Sequence, residues 1–81
     1  MDPILGQIAI FPFWTPQGWL PCEGQLLKVS DYQALFSLLG NKFGGDGRLT
    51  FALPNLKAAA ETLGDGLHYA MAVEGIYPSR P

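Results

Sequence analysis

The chain has 81 residues, a net charge of -2, one cysteine and one histidine. The chain has no cluster of lysine and arginine residues of the kind that binds nucleic acid. No apolar run reaches the roughly 20 residues of a membrane span, and a single cysteine excludes an internal disulfide. Charged residues make up 15% of the chain, against roughly 25% in typical soluble domains. Because so small a core needs support that neither disulfide nor metal ligands supply, the composition predicts self-association of one domain, residues 1–81.

The N-terminal part predicts a short strand. The side chains of residues 4–11 would alternate between the two faces of a strand, with Ile8 and Ile10 on one face and Phe11 on the other. Pro12 ends the strand because proline cannot donate to a ladder. No basic segment stands before it, so no secretory signal peptide is expected.

An aromatic turn, residues 11–16, follows this strand. Exposed rings would form a platform for a sugar or a protein partner. Alternatively, the loop folds over the small core and closes it with its bulky rings. We favour the second interpretation, because small domains need large side chains to close their cores.

Residues 17–29 predict two further extended pieces. Gly18 and Gly24 are typical of turns, residues 19–22 read as extended around a proline, and residues 26–29 form a brief strand. Cys22 has no basic neighbour that would lower the pKa of its thiol, so we interpret it as a buried structural cysteine and not a nucleophile.

The main helix is predicted over residues 30–40. Ser30 and Gln33 have the spacing of a capping box, and Gly40 is a typical stop. Its apolar arc is about 200° wide, twice what one side of a surface helix needs. We therefore expect the helix to be covered by its own sheet and also by another subunit. The residues of this arc are Tyr32, Ala34, Leu35, Phe36, Leu38 and Leu39.

A glycine-rich loop, residues 41–48, follows the helix. A phosphate-binding loop would end in Gly-Lys-Ser/Thr and enter a helix, whereas this loop leads into residues 49–53, which look extended. Asp46 alone supplies too few ligands for calcium. We expect a tight turn with an Asp46–Arg48 interaction at its tip.

The C-terminal part predicts a second, short helix over residues 56–63, capped by Asn55. Residues 67–74 then alternate as a half-buried strand, with His68 on the more polar face as a surface or hydrogen-bonded histidine. Residues 75–78 end in a turn with Tyr77 as an aromatic anchor. Together these elements predict an α+β fold, one main helix packed on a short-stranded, irregular β-sheet with long Gly/Pro/aromatic loops.

Several segments occur in an order typical of one family. They are residues 2–8 (DPILGQI), 11–13 (FPF), 16–19 (PQGW), 22–27 (CEGQLL), 33–40 (QALFSLLG), 43–47 (FGGDG), 51–56 (FALPNL) and 70–80 (AMAVEGIYPSR). In these the chain resembles the phage tail collar domain, which also occurs in microcystin-dependent proteins. The resemblance implies a fibre component that associates as a homotrimer. Family members usually have Leu-Pro-Asp-Leu where this chain has Asn55 in place of the aspartate. They also have a long insertion before the final strand, in the region that carries the receptor-binding head of phage fibres, whereas here residues 58–66 join the two ends directly.

The resemblance and the composition together lead to a non-enzymatic structural protein of a phage-tail-like particle or extracellular assembly. Its main partner is expected to be itself, as a trimer or polymer, with other particle components and cell-surface glycans as further candidates. No catalytic residue, cofactor or metal is expected. Contacts are expected at an exposed edge of the first or last strand and at aromatic residues. The candidate contact residues are Phe11, Phe13, Trp14, Trp19, Tyr32, Phe36 and Tyr77.

Two other functions remain as alternatives. In a receptor- or carbohydrate-binding adhesin, Trp14, Trp19 and Tyr77 would stack on sugars, and a polar set would donate and accept hydrogen bonds. That set is Asp46, Arg48 and His68. An enzyme would have to use Cys22 with His68, the only such pair in the chain, and the sequence around them does not favour it.

Overall fold

The computed structural model describes residues 3–78. Some residues of the sequence predictions lie outside this range, namely Met1, Asp2, Ser79 and Arg80. Separate helices and antiparallel strands confirm the α+β class, and neither described helix has the length and apolar character needed to cross a membrane. The elements in chain order are β1 (Ile8–Pro12), β2 (Trp19–Pro21), β3 (Leu26–Lys28), a 3-10 turn (Val29–Asp31), α1 (Gln33–Leu39), β4 (Thr50–Ala52), α2 (Lys57–Ala60) and β5 (Leu67–Ala72).

The last strand of the sequence is the middle strand of the main sheet. The strand order is β1-β5-β2, and both neighbours run antiparallel to β5. Because each edge of β5 is paired, the expectation of an exposed edge on this strand is wrong. Its second half is also more buried than predicted, since Ala70, Met71 and Ala72 are all covered. Strands β3 and β4 form a separate antiparallel pair.

The hydrophobic core lies between the main sheet, α1 and the β3–β4 pair. Leu35 of α1 is 1% exposed, and the rings of Phe36 and Phe51 meet with centroids 5.4 Å apart. Removing such side chains from water is the main source of folding free energy in a small domain. The core cluster consists of Leu5, Cys22, Leu35, Phe51, Leu53, Met71 and Val73.

Helix α1 begins later than the sequence predicts. The prediction of a capping box is wrong, because the N-cap is Tyr32 and no side chain forms a hydrogen bond with the first turn. The preceding residues form a 3-10 turn instead, closed by the Tyr32 N–H donating to the Val29 carbonyl at 3.2 Å. Residues three apart eclipse in a 3-10 turn, so Val29 and Tyr32 both pack against the core while Ser30 stays exposed.

The end of α1 agrees with the prediction. Gly40 has a φ of +58°, and its N–H donates to the Phe36 carbonyl at 2.7 Å. The chain's own core covers most of the predicted apolar arc, with Ala34 exposed. Coverage by a second subunit stays a prediction. The half-buried members of the arc are Tyr32, Phe36, Leu38 and Leu39.

Helix α2 is shorter than predicted. It spans Lys57–Ala60, and turns continue to residue 63. The predicted cap at Asn55 is wrong, because the N-cap is Leu56 and makes no side-chain bond to the first turn. Asn55 lies one residue earlier, and its Oδ1 accepts the Lys57 N–H at 3.1 Å. The Leu56 N–H donates to the Cys22 carbonyl at 2.8 Å, which fixes the start of α2 beside the end of β2.

Candidate interaction surfaces

The aromatic turn points outward. Phe13 and Trp14 are 83% and 68% exposed, so the prediction that this loop closes the core is wrong. The Phe13 N–H donates to the Gly66 carbonyl at 2.6 Å, and Phe13 adopts a φ of +61°. Its ring lies over Gly66, where a Cβ would come within 2.5 Å of ring atom Cε1. The ring therefore rests on backbone at the start of β5.

Phe11 and Trp19 meet on the sheet face that is turned away from the core. Their ring centroids are 5.0 Å apart in an edge-to-face arrangement. Phe11 stands opposite His68, and Trp19 opposite Ala72, so the rings flank Ala70 of the central strand. Small alanines on β5 leave room for this contact and become buried by it. Both rings are half-buried as a result.

His68 is hydrogen-bonded, as predicted. Its Nε2 lies 2.8 Å from the Thr15 hydroxyl, and its ring centroid is 6.4 Å from that of Phe11. This contact ties the aromatic turn to β5. Within residues 3–78, no group of three or more His, Cys, Asp or Glu side chains is arranged to hold a metal ion.

A groove of about 440 Å³ runs between α2, the end of β2 and the start of β5. Its charged and polar lining comes from Glu23, Lys57, Glu61, Asp65 and His68. A second hollow, lined by Phe13 and Thr15, adjoins it and shares part of its wall. The combination of carboxylates with an exposed ring suits a polar ligand that has an apolar face.

Cys22 and His68 both line this groove, but they do not form a nucleophile–base site. Cys22 is buried, as predicted, and burial raises the pKa of its thiol to about 11. A thiol with this pKa is protonated at neutral pH and is a poor nucleophile. Nothing in the groove therefore supports thiol chemistry.

The glycine-rich loop is organised around its own aspartate. Oδ1 of Asp46 accepts the backbone N–H groups of Arg48, Leu49 and Thr50 at 2.8, 2.8 and 3.0 Å. These bonds, the one from Thr50 foremost, lower the pKa of the Asp46 carboxyl to about 2. The predicted Asp46–Arg48 interaction is confirmed in this form. Because the N–H groups that would cradle a phosphate already hold a carboxylate, the loop is a closed structural turn.

Gly45 allows this loop to pass close to β4. A Cβ at Gly45 would lie 2.5 Å from the Phe51 Cα, and its φ is +88°. No other residue type fits such a contact without moving the backbone. The loop therefore fixes the position of Phe51 in the core.

The two edges of the main sheet differ. On β2 the Trp19 N–H donates to the Pro16 carbonyl at 3.2 Å, and Pro21 has no N–H. The Pro21 carbonyl accepts the Gln25 side chain at 2.8 Å and the Glu23 N–H at 3.1 Å. Proline and local hydrogen bonds thus block this edge against a further strand.

On β1 the outward backbone groups have no such partners among the described residues. The Gln7 carbonyl accepts from Ala72, and the Phe13 N–H donates to Gly66, so residues 7, 9, 11 and 13 face β5. Since bonding alternates along an antiparallel strand, the N–H and C=O groups of Ile8 and Ile10 point away from the sheet. Their side chains are 45% and 48% exposed.

The structure does not gather the predicted contact residues into one place. Phe11 and Trp19 lie on the outer face of the sheet, Phe13 and Trp14 lie on the adjoining turn, and Tyr32 and Phe36 pack against the core. Tyr77 is half exposed, and its hydroxyl lies 2.7 Å from the Ser37 hydroxyl, which anchors the C-terminal segment to α1 as predicted. Of the polar set expected to bind a sugar, the groove contains His68 and neither Asp46 nor Arg48.

A sequence model of the Phage Tail Collar Domain matches residues 6–60. The chain belongs to the phage tail collar family. The matched range contains β1 to β4 and both helices, while β5 follows it. The family identifies a structural module of the tail-fibre type. No curated protein and no solved structure matches the chain.

Of the two surfaces of this collar domain, the sequence predicted the edge of the first strand, β1, and missed the groove. The β1 edge had a visible signal, since Ile8–Pro12 contains no charged residue that would deter another strand. The carboxylates of the groove had none, because Glu23 lies about 40 positions before Glu61 and Asp65 and only the fold brings them together.

Proposed function

We propose that this collar domain is a self-assembling structural component of a phage-tail-like, virion-associated assembly, and that its partner is a second copy of itself. A homotrimer or a higher-order fibre fits the family. The observation that carries the proposal is that many large apolar side chains are exposed to water on a domain with only 15% charged residues.

Such exposure is concentrated in the N-terminal part. Within seven residues stand four exposed apolar side chains, Ile8, Ile10, Phe13 and Trp14. Ile4 is bridged to Ile76, and both are more than half exposed. Single exposed apolar residues are ordinary, whereas grouped ones mark contact surfaces. Burial in an interface would remove this area from water at about 25 cal/mol per Å².

The test is size-exclusion chromatography with light scattering at micromolar concentration. We expect a mass at least twice that of the 8.8 kDa chain, and electron microscopy would distinguish a closed oligomer from a fibre. Dilution into the nanomolar range should shift the mass downward, which separates specific association from aggregation. A monomer that persists at high concentration would contradict the proposal.

A ligand-binding function is the second candidate, and the groove beside Phe13 favours it. Carbohydrates combine hydroxyl groups with apolar ring faces, and the groove offers Glu61, Asp65 and Lys57 near an exposed aromatic ring. The groove, which contains only His68 of the residues expected from the sequence, would then be the adhesin site.

A glycan array tests this second candidate. If the groove binds sugars, the double variant Glu61→Gln with Asp65→Asn should lose binding while its thermal unfolding stays unchanged. Trp14→Ala is the matched control, because Trp14 is exposed but does not line the groove. An array without any bound glycan, or binding that only Trp14→Ala removes, would contradict a sugar site in the groove.

A further inference from the structure

We infer that two copies of this chain pair through β1, antiparallel and about a two-fold axis at Ala9, so that the main sheets of both copies become one continuous sheet. The inference rests on the proposed self-association and names its surface and register. It predicts a two-fold contact between copies, which in a homotrimeric assembly would join two trimers and not hold one trimer together.

The backbone of β1 supplies the first argument. Ile8 and Ile10 each present one N–H and one C=O on the open side of the sheet, and the strand has no charged residue along this edge. The equivalent side of β2 is blocked by Pro21 and by the Gln25 side chain. The main sheet can therefore be extended at β1 but not at β2.

The two ends of β1 fix the register. Beyond Ile8, the Gly6 N–H is already donated to the Ala72 carbonyl at 2.9 Å. Beyond Ile10, Pro12 has no N–H and its carbonyl accepts the Trp14 N–H at 2.6 Å. A shift of the partner by two residues in either direction would place Ile8 or Ile10 opposite one of these occupied positions.

Only the arrangement centred on Ala9 uses every free group. Ile8 then stands opposite Ile10 of the partner subunit, and the two residues exchange both hydrogen bonds. The same pairing recurs on the other side of the axis.

The side chains agree with this register. Ile8 and Ile10 lie on the core-facing side of the sheet, opposite Met71 and Tyr69, but at its margin, where they are about half exposed. In the paired sheet each isoleucine packs on an isoleucine of the other copy. Isoleucine is β-branched and fits the pleated, half-buried surface that this contact forms. On the opposite face the axis passes between two alanines, which do not obstruct the contact.

Charge substitutions at these two exposed positions test the register. Ile8→Lys with Ile10→Lys places like charges opposite each other and should raise the dissociation constant of the pair about tenfold or more. Ile8→Lys with Ile10→Glu places opposite charges together and should restore most of the association. Leu26→Lys with Leu49→Lys is the control, because both leucines are exposed away from β1 and association should be unchanged.

Sedimentation equilibrium with circular dichroism on each variant gives the answer. If the two-lysine variant associates like the wild type, or if the Lys/Glu variant is as dissociated as the two-lysine variant, the inferred pairing is overturned. Association lost only in the Leu26/Leu49 control would overturn the β1 surface and leave the proposed assembly function intact. A wild-type monomer would overturn the assembly function itself.

Hydrogen exchange provides a readout without mutation. The Ile8 and Ile10 amides should exchange rapidly at nanomolar concentration and slowly at high concentration. The Ala9 and Phe11 amides, which face β5, should be protected at both. Rapid exchange of Ile8 and Ile10 in the associated protein would overturn the pairing.

Discussion

Helix α1 and strand β1 are both short and apolar, yet their side chains end up in opposite surroundings. Leu35 of α1 is 1% exposed, whereas Ile10 of β1 is 48% exposed. The helix lies over the middle of the core, and β1 lies at the margin of the sheet. Position relative to the sheet centre, and not the apolar content of a segment, decides which residues stabilise the fold and which remain available for contacts.

The two regions should therefore respond differently to substitution. Changes in α1 and in the loop that follows it should alter the free energy of unfolding. Changes in β1 and the adjoining aromatic turn should alter association and leave the isolated chain nearly as stable.

The largest effect is expected from Leu35→Ala. Truncating a fully buried leucine leaves a cavity and should lower the free energy of unfolding by about 2–5 kcal/mol. Urea unfolding at nanomolar concentration measures it, with Leu35→Met as a control of similar volume. If Leu35→Ala and Ile10→Ala lowered the free energy of unfolding equally, the conclusion that α1 stabilises the fold more than β1 does would be contradicted.

An acid titration probes the loop after α1. Because the pKa of Asp46 is lowered from 3.8 to about 2, its contribution to stability is complete above about pH 4 and is lost as pH falls towards 2. Asp46→Asn keeps an acceptor oxygen but no charge, so its stability should fall less over this interval. Parallel pH dependences of the two proteins, followed by thermal unfolding, would contradict the role of the carboxylate.

A smaller effect is expected where the C-terminal segment meets α1. Tyr77→Phe removes the hydroxyl that contacts Ser37 and should cost about 0.5 kcal/mol, because the bond is exposed to water. Ser37→Ala should cost a similar amount, and the double variant little more than either single one. Additive costs in this double-mutant cycle would show that the two hydroxyls act separately.

The smallest effect on stability is expected from Phe13→Asn. Asparagine accepts the positive φ of this position, so the change removes the exposed ring without adding backbone strain. The free energy of unfolding should stay within about 0.5 kcal/mol of the wild type. Loss of several kcal/mol in chemical unfolding would mean that the aromatic turn supports the core after all.

Local patterns predicted the parts of the fold that depend on neighbouring residues. The stop at Gly40, the extended segment at Trp19–Pro21 and the buried Cys22 each follow from a few adjacent side chains. The helix start could not be predicted in this way, because packing of Val29 and Tyr32 on a distant part of the chain selects a 3-10 turn over a cap.

The surfaces depended on the strand order, which no local pattern contains. Alternation in residues 67–74 predicted a strand, but not that it lies between β1 and β2. Without that order, Ile8 and Ile10 read as core residues as easily as edge residues. Likewise, the outward direction of Phe13 and Trp14 follows from the anchoring bond to Gly66, 53 positions along the chain from Phe13.

The central place of β5 also has a consequence for synthesis on the ribosome. Strands β1 and β2 lie on either side of residues 67–72 and have no sheet partner until these residues leave the exit tunnel. Strands β1 and β2 must therefore wait unpaired, whereas β3 and β4 can already pair with each other. A nascent chain halted before Leu67 has left the tunnel should consequently bind chaperones. A chain released after β5 has left the tunnel should fold without them.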